Sequence, residues 1–128
     1  SKIYNIDERI NCLENAMRAD LENERFFPYI QKYEFEALLF SSNQGFENYY
    51  ESKVAKQTEK IVENYPNPEE INDNPATAPS KRLLEIIPEY SKVLVGNMLA
   101  LEIGLDTMLQ KCPRFRIWID TLIELAQD

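Results

Sequence analysis

Apolar residues recur at steps of three and four along most of this sequence, and prolines cut that periodicity into short lengths. A helix with one apolar stripe must bury it against other stripes, so the pattern calls for helices packed on helices. Ile10, Leu13, Met17 and Leu21 form the first stripe, behind an Asn5–Glu8 capping-box pattern, and predict a helix over 5–21. Glu34–Phe40 predicts a buried helix that ends near Ser41-Ser42-Asn43. Phe46, Tyr49, Tyr50, Val54, Thr58, Ile61 and Tyr65 trace one longer helix. Residues 66–80 hold four of the seven prolines and form the main internal loop. Within it, Asn67-Pro68 can start one helical turn, and 72–75 is turn chemistry. Pro79 opens a helix through Leu83, Leu84, Ile86 and Ile87 that stops at Pro88 or soon after. Residues 91–103 are apolar on one broad side, with Gly104 as a C-terminal cap. A short helix over 105–111 follows. A last helix opens at Pro113 and carries Phe115, Trp118, Ile119, Leu122 and Leu125 on one stripe. The fold class is mainly α: a compact bundle of five to seven helices in one domain, 1–128, around an aromatic-rich core.

One segment breaks the pattern. Phe26-Phe27-Pro28-Tyr29-Ile30-Gln31 is short, aromatic and bounded by charge, which predicts a strand over 26–31. A lone strand leaves backbone groups without partners, and no second convincing strand follows. The chain therefore reads as part of a larger sheet-containing protein.

Composition narrows the chemistry. The 128 residues include no His, so Ser-His-Asp and Cys-His nucleophile systems and His-ligated zinc are excluded within this chain. Cys12 and Cys112 are too few for a Cys-only zinc site or a disulfide framework and read as reduced core thiols. Three glycines, far apart, rule out a Gly-rich phosphate loop. The net charge is −8, with 8 basic and 12 acidic residues up to 64 and 6 and 10 after it. Bulk nucleic-acid affinity is disfavoured, though a local basic patch stays open. No apolar run approaches the roughly 18 residues that span a membrane. The expected compartment is the cytoplasm, with no membrane partner.

Several stretches resemble a known family. They are Phe27–Ser41, read FPYIQKYEFEALLFS; Thr77–Leu83, read TAPSKRL; Gly96; Ile103-Gly104-Leu105; and Cys112-Pro113-Arg114-Phe115 with Trp118. Together, in this order, they resemble the domain-of-unknown-function family 4276. Its members are bacterial proteins, often encoded beside an ATPase and associated with defence against phage or foreign DNA. The resemblance implies that this chain is the C-terminal part of a Toprim-like protein. The N-terminal α/β portion would carry metal-binding acids, and its sheet would pair with 26–31. It also implies a metal-dependent nuclease or an inactive relative, with Mg in the full-length protein, no cofactor in this chain and an ATPase partner. Tyr33 stands where the family usually shows His, which puts any acid–base role tied to that His in doubt.

Glu34 and Glu36 are the candidate catalytic residues, because they follow the strand and flank an apolar run. Burying an unpaired carboxylate costs several kcal/mol, on the order of the effective penalty for an ion, so each needs a partner. One of them could hold a cation or a catalytic water; equally, one could accept hydrogen bonds at a helix start. In a helix, residues two apart would not share a face. Lys81 and Arg82 open a helix beside Ser80 and are candidates for a phosphate or an acidic partner, or form a solvated first turn. Lys111, Arg114 and Arg116 form a cationic cluster that could meet nucleic acid or an acidic partner, or simply face solvent. Tyr49, Tyr50 and Trp118 read as core. The chain by itself lacks a complete catalytic set. Its expected job is to buttress a catalytic sheet and present a partner surface, with a non-catalytic interaction or homo-oligomerisation module as the alternative.

Overall fold

The computed structural model describes residues 5–21, 27–32, 34–71, 74 and 76–127. These residues are mainly helical, and no strand occurs among them. Phe26 and Tyr33 lie outside the described residues, as do three of the four positions read as turn chemistry at 72–75. Two compact units partition the chain: Ser1–Ile30 with Ile117–Asp128, and Gln31–Arg116.

The first unit contains α1 (Ile6–Leu21) and most of α7 (Pro113–Ala126). The capping box forms as the sequence suggests. Glu8 N–H donates to Asn5 Oδ1 at 2.8 Å, and Asn5 N–H donates to Glu8 Oε2 at 3.3 Å. Ile10 is buried, while Leu13 and Met17, further along the same stripe, are exposed. Cys12 is exposed as well, so it is not the core thiol that composition suggested.

Residues 27–31 are not a strand. Their partners are side chains. Ile30 N–H donates to Glu14 Oε2 at 2.7 Å, and the Phe27 carbonyl accepts from Trp118 Nε1 at 2.8 Å. Tyr29 stacks on Trp118 at 5.0 Å between centroids, and the Arg18 guanidinium lies 4.2 Å above the Phe27 ring. The local pattern was β-like, but α1 and α7 supply the donors and acceptors that a neighbouring strand would otherwise provide.

The second unit is built around a 3₁₀ segment, Phe35–Phe40, in which Glu36 to Phe40 are all buried. The remaining elements are α2 (Gln44–Tyr49), α3 (Ser52–Asn64), a 3₁₀ turn at Pro68–Glu70, α4 (Pro79–Ile86), a π-helical turn at Lys92–Gly96, α5 (Asn97–Ile103) and α6 (Leu105–Lys111). The first four residues of α7 close the unit. Helices α2, α5 and α6 have six or seven residues each, far below the ~12–15 that an isolated helix needs. Packing must therefore hold them. Phe40, Phe46, Leu39, Ile71, Leu83, Ile87 and Leu99 are essentially fully buried in one cluster, and each large side chain contributes about 1.5–3 kcal/mol by burial.

Three local differences from the sequence pattern have physical causes. The single helix expected over 46–65 is two, because Tyr50 and Glu51 adopt extended backbone between α2 and α3. That break lets Tyr50 pack against the core while Asn43 ties α3 back. Its amide donates to the Ala55 carbonyl at 2.9 Å, and its Oδ1 accepts from Thr58 Oγ1 at 2.6 Å. The apolar run 91–103 begins as a π turn, in which the Ser91 carbonyl accepts from both Val95 and Gly96 N–H at 3.0 Å. The extra residue leaves Val93 and Leu94 outside the core. The helical turn at Pro68 forms as read, with Asn67 Oδ1 accepting from Glu69 N–H at 3.0 Å.

Gly104 ends α5 with φ +82° and ψ 152°, a region that only glycine enters cheaply. The chain turns there by 81° into α6. Among the described residues no single helix is long and apolar enough to cross a membrane. Gly104→Ala meets no steric neighbour, so backbone strain alone should cost about 1–3 kcal/mol. Urea denaturation of the purified protein checks this.

Candidate functional site

Glu34 sits in extended backbone (φ −143°, ψ 159°) just before the buried 3₁₀ segment. This aims its carboxylate at the start of α4, whose own N-cap, Ala78, has no side chain that could accept a hydrogen bond. Both carboxylate oxygens are engaged there. Ser80 N–H donates to Oε1 at 2.9 Å, and Ser80 Oγ donates to Oε2 at 2.7 Å. An acid from 46 residues away thus supplies the cap that the local sequence lacks. The anion position that Lys81 and Arg82 seemed to frame is held by this chain's own carboxylate. Lys81 is exposed. Arg82 turns inward, with Nε donating to the Thr77 carbonyl at 2.6 Å, Nη2 to the Tyr65 hydroxyl at 3.3 Å, and its guanidinium 5.3 Å from the Tyr65 ring centre.

Glu69 performs the same service for α7. It is buried, and its two oxygens accept from Arg114 N–H and Phe115 N–H at 3.0 Å each. Arg114 therefore enters the fold through its backbone as well as its cationic side chain. Lys111 stands exposed in the last turn of α6, where a cation complements the helix dipole, and Arg116 is exposed at the start of α7. Beside this cap the Cys112 thiol lies buried, 3.5 Å from Ser41 Oγ. Burial pushes the thiol up to about 11, the Glu69 charge adds to this, and the Ser41 hydrogen bond opposes both. Its raised value favours the folded protein below pH ~9 and ceases to do so as pH rises towards about 11.

Glu36 is different. Its residue is 2% exposed. Lys92 Nζ lies 3.5 Å from Oε1 on a side chain that is 63% exposed, and 6.0 Å from the Phe35 ring centre. Glu36 Oε2 is buried with no hydrogen-bond partner, and so is the Tyr90 hydroxyl. Burial pushes the Tyr90 phenol up. The Glu36 carboxylate acts in the same direction, by charge and as an acceptor, and the Glu34 charge adds to it. The two groups are thus electrically coupled, although no bond between them meets hydrogen-bond geometry. An unsatisfied buried polar group costs about 1–3 kcal/mol, more for a charged one. The 3₁₀ turn accordingly sends Glu34 and Glu36 to different partners, with Tyr90 feeling both.

These residues do not by themselves fit a divalent cation. Glu34 spends both oxygens on Ser80 and Glu36 offers one. Among the described residues, no three His, Cys, Asp or Glu side chains converge. Tyr90, Lys92 and Glu69 escaped the sequence reading, since their partners lie tens of residues away and no local spacing marks them. Removing the long-range cap tests its role. Glu34→Ala should destabilise the protein by about 0.5–2 kcal/mol, read as a lower urea midpoint at unchanged slope.

Neither a curated protein nor a solved structure matches the chain. A family model does, over residues 2–123, and it spans every segment on which the likeness was drawn. The chain belongs to the family described as Domain of unknown function (DUF4276).

Proposed function

We propose that this chain is a non-catalytic helical lobe that docks a partner protein. In this reading it forms the C-terminal part of a Toprim-like bacterial protein working in the cytoplasm, a metal-dependent nuclease of phage or foreign-DNA defence. The reactive acids and any Mg belong to the rest of that protein, and the partner is the ATPase encoded beside it. The observation that supports docking is an apolar stripe on the Lys92–Lys111 stretch. Val93 is 72% exposed, Leu94 75%, Leu101 85% and Leu105 52%. Leu94 and Leu101 are two helical turns apart, and Leu105 follows one turn later, past the bend at Gly104. Single exposed apolar residues are ordinary, but four along one short stretch mark an interaction surface.

The carboxylates are consistent with the same reading. Glu34 and Glu69 are committed to helix ends, and Glu36 is sealed from solvent. Groups so placed hold a scaffold in shape and are poorly set to meet a substrate.

Two experiments on the intact protein test this. Leu94→Glu with Leu101→Glu should abolish co-purification with the neighbouring ATPase while the circular dichroism spectrum stays unchanged. A complex that survives the double change, or none with wild type, sinks the docking surface. Glu36→Gln should leave Mg-dependent DNA cleavage unaltered; loss of cleavage in a folded variant would transfer Glu36 to the catalytic machinery.

A further inference from the structure

Beneath the π turn, two polar atoms face a shared requirement. Glu36 Oε2 is acceptor-only and needs a donor, whereas the Tyr90 hydroxyl needs a partner for its proton. Both atoms are buried and neither has a protein partner. We propose that Glu36 Oε2 and the Tyr90 hydroxyl together hold one internal water molecule beneath the Lys92–Gly96 turn.

The chemistry selects the guest. It must donate to the carboxylate and accept from the phenol at the same time. A cation could satisfy the carboxylate but would oppose the phenol's proton, and burial and the facing carboxylates keep that proton in place. Water meets both needs, and two polar partners are the fewest that retain a buried one. Both atoms are closed to bulk solvent, which limits the guest to something of that size.

Gly96 belongs to this site. A Cβ there would stand 3.0 Å from the Tyr90 hydroxyl oxygen and 3.3 Å from the Phe35 ring. An alanine would press on the phenol and on the ring that carries Lys92 above it. Glu36, Tyr90 and Gly96, 60 residues apart at the extremes, thus meet at one point in the fold.

A high-resolution crystal structure of the protein tests the proposal. The expected result is one solvent peak about 2.6–3.2 Å from both Glu36 Oε2 and the Tyr90 hydroxyl oxygen. A direct Tyr90–Glu36 hydrogen bond with nothing between them overturns it. So does a peak about 2.0–2.6 Å from Oε2, which marks a cation. In solution, ¹⁷O relaxation dispersion should count one fewer long-lived water in Tyr90→Phe than in wild type, and an equal count would refute the assignment. Should Tyr90→Phe fail to fold, Gly96→Ala serves as the second variant, with the same loss expected.

Discussion

The 3₁₀ segment Phe35–Phe40 carries the unit from Gln31 to Arg116. It is short, tightly wound and almost wholly buried, and α3, α4, α5, the Pro68–Glu70 turn and the π turn all pack against it. Its backbone geometry fixes where the flanking acids go. The extended residue before it sends Glu34 to α4, and its first turn sends Glu36 inward to Lys92 and Tyr90. Disturbing this segment would remove core packing and two charged anchors together, which makes it the point of highest consequence in the unit.

Buried carboxylates here answer a problem of helix ends. The first N–H groups of a helix have no partner within it, and a helix that starts inside a fold must find one. Ala78 and Cys112, preceding α4 and α7, cannot supply it. Glu34 and Glu69 reach across 46 and 45 residues to do so. Such long-range caps link the order of two segments, because neither the acid nor the helix start is satisfied alone. The arrangement also accounts for two acids, in positions that invite a catalytic reading, that lie turned away from any open surface.

The exposed stripe has a related origin. An extra residue in the π turn rotates Val93 and Leu94 out of the core while Leu99 and Ile103 remain in it. The same turn carries Lys92, the single residue seen to pair with Glu36 among the described ones. The docking surface and the buried polar site are therefore neighbours along five residues of backbone. This is why we read the turn as the functional feature of the lobe.

Local chemistry determined a good deal of this protein. Periodicity and capping signals placed α1, α4, α6 and α7 closely, because Asn5, Pro79 and Pro113 act within one turn of themselves. Gly104 likewise declared itself as a stop. The family was readable from its motifs. Tertiary structure decided what depended on partners far along the chain. The segment at 27–31 had a strand's composition, but hydrogen bonds from α1 and α7 side chains gave it a different role. The longer helix broke at Tyr50 so that two apolar faces could share one core. The fate of each acid at the candidate site turned on contacts 45 to 56 residues distant. Sequence spacing reports on neighbours within a turn or two, whereas a buried charge is governed by whatever the whole fold brings to it.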